Sequence, residues 1–171
     1  VTATEKLMSG EGFMLLSLFV TIVMIVVPML FAKFLQKRKM CTLGFKKAGM
    51  WKEYGMGILV GFAMMTVIVL TGVLTGAMKL QFNENILTGA GIGMLLLLLL
   101  GFLFQGMSEE VLCRSYFLVS LARKNGNIWM AVVVNAVAFG LLHINNPGLT
   151  VLSMVNLILF GIFASIYFVK R

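Results

Sequence analysis

The chain has 171 residues, 60% of them hydrophobic and 12% charged, with a mean hydropathy of +1.02 and a formal net charge of +8. Soluble domains carry about 25% charged residues, so a water-soluble globular fold is excluded and lipid is the solvent for most of this sequence. In a soluble protein the positive charge would suggest a nucleic-acid partner; here the basic residues cluster in particular loops, the positive-inside rule accounts for them, and no nucleic acid is expected.

No linker, internal repeat or low-complexity tract divides the chain, which predicts a single all-α domain over residues 1–171, a polytopic transmembrane helix bundle of about five spans. The first residue is Val, so the N-terminus is expected to be processed or clipped and the domain incomplete at both ends. Cys41 and Cys113 have no CxxC spacing and read as free thiols.

Span one is predicted over Gly12 to Leu35, a membrane span and not a cleaved signal, with Pro28 tolerated if neighbours satisfy the freed carbonyl. The loop from Gln36 to Tyr54 carries Lys37, Arg38, Lys39, Lys46, Lys47 and Lys52, a cytoplasmic signal. Its Phe45, Met50, Trp51 and Tyr54 suit the headgroup level. Span two runs from Gly55 to Lys79, with small-xxx-small spacing at Gly57, Gly61 and at Gly72, Gly76 that reads as packing. A polar turn at Gln81 to Asn85 follows.

Span three begins near Gly89 and reaches Leu121. More than thirty residues of helix would be about 50 Å long, too much for a core of about 30 Å without tilt or a break, and Gly106 and Ser108 mark the expected break. After the basic turn at Arg123 to Asn127, span four runs from Ile128 to Ile144 with Trp129 as interfacial anchor, and span five from Leu149 to Val169. With the N-terminus outside, ten basic residues fall on the cytoplasmic side and two, Lys6 and Lys79, near the other.

Charges inside such spans cost roughly 2.5 to 3.5 kcal/mol each on insertion scales, so Glu109, Glu110 and Arg114 need a partner or a task. Glu109 lies 14 residues from Arg123, and His143, the single histidine, 15 from Ile128. At 1.5 Å per residue these are depths of about 21 and 22 Å in antiparallel neighbours, so the two groups can meet. Glu110 and Arg114 are spaced i, i+4 and can form an ion pair, while Glu109 points about 100° away, free to face another helix. Asn135, Phe139 and His143 repeat every four residues on one face of span four. A carboxylate and an imidazole converging on water in a low-dielectric site can serve as general base and orienting partner. Asn156 and Ser153 read as packing groups in span five, Gly161 and Ser165 as a close-contact face, and the 14 methionines as apolar filler.

At these residues the sequence resembles the CPBP family of intramembrane proteases, the CAAX protease and bacteriocin-processing or self-immunity group. Glu109, Glu110 and Arg114 match its Glu-Glu-x-x-x-Arg motif, and Phe139 and His143 its Phe-x-x-x-His motif. Phe160 and Gly161, within the Asn156 to Tyr167 part of span five, look like its third conserved region. The resemblance implies a membrane-embedded endopeptidase acting on a peptide or membrane-associated substrate; a bacterial cell membrane is the expected location, Glu109, Glu110 and His143 are the expected catalytic residues, and Arg114, Phe139, Asn135 and Asn156 are expected to support the site.

The family's later His-x-x-x-Asn motif, which stabilises the oxyanion or, in the metal reading, binds a divalent ion, is not matched here. Truncation is the expected reason, a naturally degenerate site the alternative. A divalent metal such as zinc remains an open cofactor, with Glu109 and His143 the candidate ligands, too few for a closed zinc site. A non-catalytic bacteriocin self-immunity or membrane-interaction protein is the competing reading.

Overall fold

The computed structural model describes residues 10–45 and 49–170, apart from the Glu11 side chain. Lys6, Lys46, Lys47 and Arg171, which entered the charge count, lie outside the described residues. The chain divides into two compact units, residues 1–44 with 97–171, and residues 45–96.

In the first unit, α1 (Gly10–Val20) and α2 (Val23–Leu30) run into a π-helical turn (Phe31–Leu35). They form one apolar segment because Thr21 breaks the helix only briefly: its hydroxyl donates to the Leu18 carbonyl (2.5 Å) and Ile22 N–H to Phe19 O (3.1 Å), a tightened turn. Pro28 sits inside α2 without disrupting it.

The second unit holds α3 (Met50–Leu74), a single helical turn (Glu84–Leu87) and the start of α4 (Gly89–Glu109). Thr88 caps α4 by accepting Gly91 N–H at 3.1 Å. A Cβ at Gly91 would lie 2.0 Å from the Asn85 carbonyl, so only glycine fits there.

The break expected at Gly106 and Ser108 is absent. Ser108 returns its hydroxyl to the Gln105 carbonyl (2.7 Å) inside the helix, so it is satisfied without interrupting it. The backbone instead slackens after Glu109 into a π-helical stretch (Glu110–Leu118) and tightens again as α5 (Val119–Asn125), giving an unbroken 37-residue helix from Gly89. It stops at Gly126, whose φ of +67° is the left-handed C-terminal conformation that favours glycine.

After Asn127, which accepts Met130 N–H at 3.1 Å, α6 covers Ile128–Leu141, and α7 covers Val151–Lys170. The 14-residue α6 is about 21 Å long, short of a full hydrocarbon core. The five spans are therefore four helices long and apolar enough to cross a membrane plus this shorter one. Pro147, with no N–H to offer, and the Asn146 N–H to His143 O bond (2.9 Å) close a turn that ends the expected fourth span early.

α6 and α7 pack closely. Gly161 is buried, with a Cβ there only 3.0 Å from Ala136 Cα, and Ser165 is buried one turn on, so this is a close-contact face. Leu118, Ala131 and Val132 form the core beside it, covered by Ile162, Ile166 and Phe168. Most other large apolar side chains are uncovered by protein, as lipid-facing positions of a membrane protein are. The molecule is an integral membrane protein.

Candidate active site

The polar groups converge where the π-helical stretch begins and α6 ends, within the first unit. Glu109 is the last residue of α4 and His143 lies two residues past α6. Glu109 Oε1 and His143 Nε2 are 3.8 Å apart, with side chains 22% and 15% exposed. Gln105, one turn before Glu109, donates from Nε2 to the same Oε1 at 3.1 Å. That residue was not singled out in the sequence, although its i, i+4 spacing is the available signal.

The other imidazole nitrogen fixes the tautomer. His143 Nδ1 is 2.9 Å from the Phe139 carbonyl oxygen, which can only accept, so Nδ1 carries the proton. In the neutral ring, Nε2 then presents a lone pair toward Glu109. Two acceptors face each other, an arrangement that a donor of two protons between them would satisfy.

Arg114 is completely buried, and its guanidinium lies 4.4 Å above the Phe139 ring. Its Nη1 is 3.2 Å from Glu110 Oε1, a charge contact without hydrogen-bond alignment, and its three nitrogens make no hydrogen bond among the described residues. Glu110 is 53% exposed, so the pair holds one buried and one open charge. Phe139 is buried against the His143 ring (centroids 4.8 Å) and Phe160 (6.1 Å). Phe139 thus links the cation below it to the imidazole above.

Asn135 is buried one turn earlier and donates from Nδ2 to Ser165 Oγ (2.9 Å), which donates to Gly161 O (2.7 Å). Asn135 therefore ties α6 to α7 below the ionisable groups. Its partner Ser165 was legible only as a small residue. Asn156, expected as a packing group, is exposed and lines an open groove with Asn146, Ser153 and Phe160. It lies five residues from Gly161, or about 140° around the helix from the face that packs. Ser153 serves the α7 N-terminus, where Thr150 Oγ1 accepts its N–H at 3.1 Å. Cys41 is exposed and Cys113 buried, both free thiols.

No group of three or more His, Cys, Asp or Glu side chains converges among the described residues. Glu109 and His143 supply two ligands where catalytic zinc sites use three from protein, so the donor set present does not fit a metal centre.

An acidic pair, a buried arginine and an imidazole gathered inside a helical membrane bundle define the class: a polytopic membrane protein with an intramembrane ionisable site. Residues 91–171 match the family model described as Rce1-like, type II CAAX prenyl endopeptidase Rce1-like, which lies within the CPBP group. The matched stretch holds all five motif residues. The family implies CAAX-type intramembrane endopeptidase activity, in a lipid environment and on peptide substrates. Comparison with curated proteins and with solved structures returned no match.

Proposed function

We propose that this protein is an intramembrane endopeptidase in which Glu109 and His143 activate a water molecule against a peptide bond of a membrane-associated peptide or protein. The observation that carries the reading is the 3.8 Å approach of Glu109 Oε1 to a His143 Nε2 whose proton is held on the opposite nitrogen. A water about 2.8 Å from each atom closes a triangle on that side, donating one hydrogen to each acceptor and turning its lone pairs outward. As the oxygen adds to the substrate carbonyl, Glu109 takes the proton; the tetrahedral intermediate collapses as that proton passes to the leaving amine.

Gln105 holds the Glu109 carboxylate in place, and Phe139 orients the imidazole through its carbonyl. Glu110 and Arg114 act on position: their ion pair and the Arg114 contact with Phe139 fix the face that carries His143.

The test is peptide cleavage by the protein in lipid nanodiscs, comparing wild type with Glu109→Gln. Loss of a positioned general base lowers turnover by about 10²- to 10⁴-fold. Unchanged turnover in a variant that melts like wild type would remove Glu109 from the mechanism.

A further inference from the structure

We propose that Arg38 and Arg123, with the apolar slot beside them, form a binding site for one acidic phospholipid at the basic end of the first unit. The π-helical turn after α2 exits into a loop that is anchored back onto the long helix. Arg38 N–H bonds the Ala32 carbonyl (2.9 Å), and the guanidinium donates to Ser120 Oγ (3.1 Å), Gln36 Oε1 (3.3 Å) and the Thr42 carbonyl (3.2 Å). Gln36 in turn donates to the Tyr116 hydroxyl at 3.1 Å. Arg38 is thus a fixed cation, with its side-chain entropy already spent on the fold.

Ser120 and Arg123 are three residues apart on α5, so the guanidinium docked on Ser120 lies on the helix face that carries a second guanidinium. Partial burial, and next the nearby Arg123 charge, hold Arg38 below the ordinary arginine range. Among the described residues neither arginine has a carboxylate in ion-pair contact. Two like charges brought together without a counterion form a site for an anion supplied from outside.

The apolar half adjoins this charge. Arg123 stands at the rim of a slot lined by Leu118, Ala122, Ile128 and Phe168, between α5, the start of α6 and the end of α7. Gly44 packs against the Phe168 ring that lines it: a Cβ there would be 2.7 Å from Phe168 Cζ. Lys124 and Lys170 follow directly on Arg123 and Val169, adding positive charge at the same helix ends. A phosphate at the arginines with an acyl chain in the slot satisfies both halves, which a free phosphate or a zwitterionic lipid does not.

The test is melting of the detergent-solubilised protein titrated with dioctanoyl phosphatidylglycerol, dioctanoyl phosphatidylcholine or inorganic phosphate. Wild type should show a saturable rise with phosphatidylglycerol and none with the other two. Arg123→Gln should weaken the apparent affinity roughly 5-fold, and Arg38→Gln with it roughly 25-fold. Val169→Trp, at the exposed mouth of the slot, keeps both charges and should also lose the response, while Lys52→Gln should keep it. Each affinity is read against the same variant's own melting without lipid, so a loss of stability is not mistaken for a loss of binding. An equal response to phosphatidylcholine, an equal response to inorganic phosphate, or unchanged affinity in the double variant would overturn the proposal.

Discussion

Asn135→Asp changes one atom's chemistry at almost constant volume, and the structure sets the size of the effect. The wild-type amide donates to Ser165 Oγ at 2.9 Å, while the Ser165 hydroxyl hydrogen is committed to Gly161 O at 2.7 Å. Asn135 is 0% exposed and its Oδ1 has no partner among the described residues. A carboxylate there would meet at most one hydrogen, that of the Ser165 hydroxyl, and only if it left Gly161 O, so the variant must either bury a charge or bind a proton. Protonating an aspartate of ordinary pKa about 3.9 at pH 7 costs about 4 kcal/mol, which caps the destabilisation. The neutral acid then donates to Ser165 Oγ in place of the amide.

The sign follows from linkage. The folded variant holds a proton that the unfolded chain releases above about pH 3.9, so the deficit shrinks by about 1.4 kcal/mol per pH unit as pH falls. Reversible unfolding in mixed dodecylmaltoside and dodecyl sulfate micelles should show a gap from wild type of up to about 4 kcal/mol at pH 7, falling to at most about 1.5 kcal/mol at pH 5. A gap independent of pH, or none at pH 7, would refute the buried, donor-requiring environment assigned to this side chain.

Gln105→Leu removes the amide that holds Glu109 and should lower kcat by about 10- to 100-fold with little change in KM, measured by steady-state cleavage. Glu110→Gln leaves Arg114 buried without its counterion. Because Glu110 is 53% exposed, the loss should fall between the roughly 1 kcal/mol of an exposed pair and the 3–5 kcal/mol of a buried one, read by the same unfolding assay. Gly44→Ala combines a φ of +89° with a 2.7 Å approach to Phe168 and should destabilise by about 1–3 kcal/mol, whereas Gly10→Ala, with open space around it, should not.

The proximity of Glu109 and His143 follows from two residue counts, because helix rise is constant and antiparallel neighbours share a depth scale. The π-helical stretch lies inside the counted segment, between Glu109 and Arg123, yet the two side chains still come within 3.8 Å. What the counts miss is backbone register. Gly106 and Ser108 have the composition of a break, yet Ser108 satisfies itself within the helix, and the slackening begins at Glu110, where no residue type announces it. Early termination of α6 is encoded by Pro147 but only through the His143 carbonyl, a local accounting that hydropathy does not register. Asn156 shows the same limit: polarity in an apolar span suggests a buried role, but its angular offset from Gly161 decides that it faces outward.

The central claim is that Glu109 and His143 direct a water at the scissile carbonyl, and single-turnover cleavage in ¹⁸O-water tests it most directly. The account predicts one solvent oxygen in the newly formed carboxylate of the first turnover, with the label-bearing product absent in Glu109→Gln. A first-turnover product whose new oxygen is unlabelled would show that a side-chain carboxylate attacked the peptide instead, and would contradict the mechanism.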